Sequence, residues 1–146
     1  MTEKNLDMTD FSDLKGKVAA ITGGSGIIGQ TLVKGLCSAG VNVVVLDLKP
    51  ESITVNGKGA AGEQNTGPVA AIAADVTSRE SLVKARDEIR DRFGPPDILI
   101  NCAGGNKPTA TTAKEFIQPD DKDLKGTFFE LDIAGFDGVF DLNFKG

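Results

Sequence analysis

The sequence predicts an α/β fold in which a parallel sheet is doubly wound, with helices on both faces. Two observations carry that expectation. Four short runs, Val18–Thr22, Val41–Leu46, Val69–Ala74 and Ile98–Cys102, are apolar along their length and do not alternate, as expected of strands covered on both faces. Between them, residues 27–39 and 79–93 place apolar side chains at helical spacing. The resulting order is strand, helix, strand, linker, strand, helix, strand. A parallel sheet covered on both sides satisfies that order.

Each element has a local reason. Residues 1–15 are polar and predict a frayed or surface arm ahead of one domain over 16–146. Ile28, Leu32, Val33, Leu36 and Ala39 form one helical face, and Gly40 is positioned as its C-cap. The valine-rich second strand ends at Asp47. Residues 49–68 hold four glycines and two prolines and read as a loop or a poorly ordered helix. The third strand ends at Asp75. Thr77 or Ser78 can cap the next helix, whose buried face is Leu82, Ala85, Ile89 and Phe93. Gly94-Pro95-Pro96 stops it. Residues 104–127 read as a long polar loop. From 132 to 145 helical spacing returns, with Phe136, Phe140 and Phe144 four apart.

Composition narrows the function classes. The 146 residues suffice for one domain. Net charge is −5 and the 16 basic residues are scattered, which argues against nucleic-acid and polybasic membrane binding. No apolar run approaches the roughly 20 residues of a membrane span, and the N-terminus has no signal-peptide h-region. Cys37 and Cys102 sit in apolar runs without metal-site spacing. They predict buried free thiols in a cytoplasmic protein and no metal centre. The chain has no His, no Tyr and no Trp, and no serine follows Ser81. A histidine base and a tyrosine acid are therefore excluded within these residues.

The richest local signal is Thr22-Gly23-Gly24-Ser25-Gly26-Ile27-Ile28-Gly29. It follows a strand and opens a helix, and Asp47 ends the next strand 18 residues after Gly29. That context predicts a dinucleotide-binding unit. Gly23 permits the turn off the strand, Gly26 lets backbone N–H groups approach a pyrophosphate, and Gly29 lets the helix pack on the sheet. The helix N-terminus offers unpaired N–H donors, so Ser25, Ile27 and Ile28 join the candidate cofactor contacts. Asp47 can accept from a ribose diol and would repel a 2′-phosphate, which favours NAD over NADP; Lys49 softens the preference. The alternative is that the glycines serve only a tight strand–helix turn and Asp47 only caps it.

With these residues in view, the chain resembles a short-chain dehydrogenase/reductase from Leu14 to Gly146. The glycine turn is similar to the family's, although Ile27 stands where classical members carry their second glycine. Asp75-Val76 matches the family's adenine contact. Asn101-Cys102-Ala103-Gly104 is similar to its Asn-Asn-Ala-Gly. Phe136-Asp137 leading to Asn143 matches its aromatic-Asp pair and catalytic asparagine. The run NCAGGNKPTATT resembles a subgroup described as D-mannonate oxidoreductase or fructuronate-reductase-like. The resemblance implies a Rossmann-type fold with strand order 3-2-1-4. It also implies an NAD(P)-dependent hydride transfer on an alcohol or carbonyl substrate, such as a sugar acid or polyol, and a homo-oligomer.

The resemblance assigns catalysis to Asn143 and cofactor binding to Gly23, Ser25, Gly26, Ile27, Ile28, Gly29, Asp47, Asp75, Val76, Asn101, Ala103 and Gly104. Asn143 keeps two readings: a water anchor beside the active site, or a helix C-terminal residue bonded to nearby carbonyls. Asn101 likewise supports the nicotinamide side or satisfies backbone where its strand ends. The family's tyrosine, the lysine four residues later and the serine are missing. The fourth strand is also expected to be an open edge. The expectation is a cofactor-binding half of a longer enzyme, inactive alone; the alternatives are a non-catalytic dinucleotide-binding module and an inactive fragment.

Overall fold

A computed structural model describes residues 10–50 and 69–146. Most of the arm expected over 1–15, and nearly all of the 49–68 segment, lie outside the described residues. The elements are β1 (Val18–Thr22), α1 (Ile27–Ser38), β2 (Asn42–Asp47), β3 (Val69–Ala73), α2 (Arg79–Phe93), β4 (Ile98–Asn101) and α3 (Ile133–Phe140). The strands form one parallel sheet in the order β3-β2-β1-β4. This is the doubly wound, Rossmann-type arrangement.

Alternation of side chains across β2 divides the core in two. Val43 and Val45 face α1 and pack with Ala19, Ile21, Val33 and Cys37. Val44 and Leu46 face α2 and pack with Ala20, Ile72, Ala85 and Ile89. β1 is buried along its whole length, and β2 through its middle four residues. The edge strands differ from the expectation. β3 and β4 alternate between covered and exposed positions. An apolar run reports composition and not cover: α2 packs on Val44, Leu46 and Ile72, leaving Leu99 63% exposed.

Helix ends follow their capping chemistry. Gly26 begins α1 with no side-chain cap, and Gly40 takes φ +81° just beyond its end. Ser78 caps α2, its Oγ accepting from the Ser81 N–H at 3.3 Å. Asp132 caps α3, accepting from the Ala134 N–H at 3.0 Å. The expected arm is ordered at its end: Ser12–Leu14 makes a 3-10 turn, and Leu14 packs on the α1-side core.

The helix expected to run unbroken over 132–145 is α-helical only to Phe140 and continues as a π-turn over Asp141–Lys145. Asn143 sits within this wider turn. The Asn143 amide donates to Val139 O within the helix and also reaches the backbone of Gly105 outside it. Phe136 is half-buried, while Phe140 and Phe144 are exposed and touch each other with ring centroids 6.2 Å apart. The 104–127 loop also holds a 3-10 turn at Pro108–Ala110.

Candidate functional site

A cavity of about 410 Å³ opens beyond the carboxyl ends of the strands. Ligands of open α/β sheets bind in this position. One wall is the glycine turn, one is the end of β2 and β3, and one is the segment that leaves β4.

The floor is formed by Gly23, with Thr22 behind it. Thr22 is buried, and its Oγ1 accepts from the N–H groups of both Cys102 and Ala103 at 3.1 Å. Its hydroxyl therefore ties the end of β1 to the segment beyond β4. Gly23 sits at φ +65°, where L side chains are strained, and an added Cβ would lie 2.7 Å from the Ala103 backbone. Gly29 is demanded by packing: a Cβ there would lie 2.3 Å from the Gly23 carbonyl oxygen. Gly26 is the bare cap of α1, so the first N–H groups of that helix meet no side chain.

Asp47 at the end of β2 reaches the glycine turn, its Oδ2 accepting from the Ser25 N–H at 3.1 Å. Ser25 Oγ is buried and has no hydrogen-bond partner. A buried hydroxyl in that condition costs stability unless something pairs with it. At the end of β3, Asp75 Oδ1 accepts from the Thr77 hydroxyl at 2.7 Å and the Thr77 N–H at 2.9 Å. The Thr77 hydroxyl first, and its amide second, hold the Asp75 carboxyl below the usual carboxylate range.

The cavity gathers Gly23, Ser25, Gly26, Asp47, Asp75, Val76, Ala103 and Gly104 of the residues expected from sequence. Gly29 lies behind the turn, buried. Ile27 and Ile28 expose their side chains, so only their backbone N–H groups face the helix start. Asn101 is not in the lining. It is exposed and borders a separate apolar groove between α2 and β4, so the structure does not bring its side chain to the cavity. Asn143 also stands outside the lining, one residue from Leu142, which is in it. The Asn143 amide pairs with Gly105, and a Cβ on Gly104 would lie 2.6 Å from its Oδ1.

Sequence reasoning passed over Leu142, Leu46, Leu48, Ala74 and Cys102 as lining residues. Cys102 could have been found from its place directly after Asn101. Leu142 carried no signal beyond its neighbour. Cys37 is buried as expected, but Cys102 is only half-buried. Among the described residues there is no group of three or more metal-ligating side chains, and no helix is long and apolar enough to cross a membrane.

Comparison with known proteins agrees with this geometry. The family model described as short chain dehydrogenase matches residues 17–146. An uncharacterized oxidoreductase of Haemophilus influenzae is 39% identical over 144 residues, covering 99% of this chain and 50% of the relative. The uncharacterized oxidoreductase UxuB of Bacillus subtilis is 40% identical over 136 residues, covering 92% and 47%. A Haemophilus crystal structure with bound NAD, provisionally described as a D-mannonate oxidoreductase, superposes with a TM-score of 0.78 at 38% identity. That match covers 92% of this chain and 48% of the other. The chain thus spans about half the length of the curated relatives it matches.

Proposed function

The chain belongs to the short chain dehydrogenase family, and from that premise we propose that it forms the dinucleotide-binding half of an NAD-dependent oxidoreductase. The reaction is hydride transfer between a nicotinamide and an alcohol or carbonyl carbon, and the nicotinamide supplies the hydride chemistry when bound. The observation that carries the reading is the orphaned Ser25 Oγ beside the bare Gly23–Gly26 backbone. That unused hydroxyl, next to the uncapped N–H groups of Ile27 and Ile28 at the start of α1, suits a phosphate or ribose.

In this reading Gly23, Ser25, Gly26 and the N–H groups of Ile27 and Ile28 receive the pyrophosphate side, and Gly29 holds that turn on the sheet. Asp47 accepts from the adenosine ribose and favours NAD over NADP. Asp75 and Val76 face the adenine. Ala103 and Gly104 form the nicotinamide wall, with Asn101 supporting their strand end. Asn143 holds that wall through Gly105, which is its contribution to catalysis.

These 146 residues hold no tyrosine and no serine after Ser81, so in this reading the chain alone transfers no hydride. A sugar acid is the favoured small-molecule substrate, supported by the likeness to the NAD-bound Haemophilus structure. Exposed Ile133, Phe140 and Phe144 support a homo-oligomeric contact along α3 and the π-turn after it. Two free cysteines and the scattered charge support a cytoplasmic setting.

Titration with NADH, followed by its fluorescence, tests the reading. Saturable binding by the folded chain is expected, with Ser25→Ala weakening it about fivefold. A folded chain that leaves NADH fluorescence unchanged at millimolar concentration overturns it.

A further inference from the structure

The segment leaving β4 runs along one stripe of α3. A methyl added at Gly135 would lie 2.6 Å from Thr109 Oγ1, one added at Gly138 would lie 2.1 Å from Lys107 Nζ, and one added at Gly105 would lie 3.7 Å from Leu142 Cδ2. Lys107 therefore lays its side chain over bare helix backbone. Gly138 is four residues from Leu142, about 6 Å along a helix axis, and Leu142 lines the cofactor cavity. The Lys107 ammonium lies beside Gly138, about one helical turn from Leu142.

Its backbone is fixed from both sides. Asn106 Oδ1 accepts from the Lys107 N–H at 2.8 Å, and Thr111 Oγ1 donates to the Lys107 carbonyl at 3.0 Å. Asn106 Nδ2 in turn donates to Thr111 Oγ1 at 2.7 Å. Three side-chain hydrogen bonds thus fix the backbone that carries this lysine, beside an open, mostly apolar hollow of about 450 Å³ lined by Asn106, Pro108, Thr111, Thr112 and Ala113. The ammonium itself takes part in none of the ion pairs among the described residues. On the facing helix, Asp141 pairs with Lys145, and Asp137 acts on the same lysine.

We propose that Lys107 receives the carboxylate of a hydroxy-acid substrate and so selects acids over neutral polyols. The inference rests on the oxidoreductase reading above, because it assumes that substrate approaches this side of the cofactor cavity. An unpaired ammonium lying over bare helix backbone leaves room for a carboxylate to approach, and a charge-assisted hydrogen bond then carries the discrimination.

Amide-resolved NMR titration of the whole chain with NADH present tests it. D-gluconate should shift the Gly105 and Gly138 amides, and D-sorbitol should not. Lys107→Gln should weaken the gluconate effect about tenfold, while Lys107→Arg retains it. Equal response to both ligands, or a Lys107→Gln protein that binds gluconate like the wild type, overturns the proposal. The Gly23 and Gly26 amides report NADH in the same spectra. If they respond and gluconate has no effect, the lysine assignment fails while the cofactor reading stands; if they do not respond, the cofactor reading fails.

Discussion

The side-chain amide of Asn143 closes a two-way pair with the backbone of Gly105: Nδ2 donates to the carbonyl at 2.8 Å, and the Gly105 N–H donates to Oδ1 at 3.0 Å. One side chain thereby couples the π-turn after α3 to the segment after β4. Replacing Asn143 by Ala releases both Gly105 groups to solvent and should cost about 1–2 kcal/mol in urea unfolding. Asn143→Asp keeps the acceptor and loses the donor, so it should fall between the two. An Ala variant as stable as the wild type would mean that the pair holds nothing in solution.

Two glycines of the same helix should respond in opposite directions to one methyl group. Gly29→Ala drives Cβ into the Gly23 carbonyl and should cost about 3 kcal/mol or prevent folding. Gly35 has nothing within 4 Å of an added Cβ and lies inside α1. Gly35→Ala should stabilise by about 0.5–1 kcal/mol. Thermal melts of both variants check the pair.

Asp47 should set the choice of cofactor. Its carboxylate already lies on the glycine turn through Ser25, where a 2′-phosphate would meet like charge. The wild-type chain should bind NADH at least about tenfold more tightly than NADPH, and Asp47→Asn should reduce the gap to about threefold. Parallel fluorescence titrations measure both.

The two thiols should separate by reactivity and by pH. Cys102 lines the cavity and should react with iodoacetamide in the native state, with protection by NADH. Cys37 has no exposed surface, and burial pushes its thiol up from the ordinary range. It should react only on unfolding. The unfolded chain gives up this proton more readily than the folded one, so at alkaline pH the unfolded state binds fewer protons. Stability should then fall as pH rises from about 8.5, the unfolded thiol's range, until the folded thiol also ionises. Cys37→Ala removes that part of the slope.

Where hydrophobic pattern and backbone chemistry coincide, the sequence was legible. β1 and β2 are apolar runs that the structure buries. Gly23, Gly26 and Gly29 sit where a strand must turn into a helix, and Ser78 and Gly94 bracket α2 as their types require. Features that depend on a distant partner were not legible. Nothing local marks Thr22 as the acceptor for residues 102 and 103. The spacing of Phe136, Phe140 and Phe144 is met equally by a straight helix and by one that widens at Asp141, where Asn143 reaches out to the distant Gly105. The exposure of Leu99 follows from where α2 lies, which β4 cannot encode.

The contact between Gly23 and the Ala103 backbone gives the cavity a mechanical character. Its two walls meet at an apex where one hydrogen stands in place of a side chain, and the Thr22 hydroxyl bolts the same point from behind. A close-packed apex of this kind does not hinge. The freedom to admit and release a guest is left to the outer lips near Leu48 and Leu142, so a substitution at either lip should change exchange rates before it changes the shape of the floor.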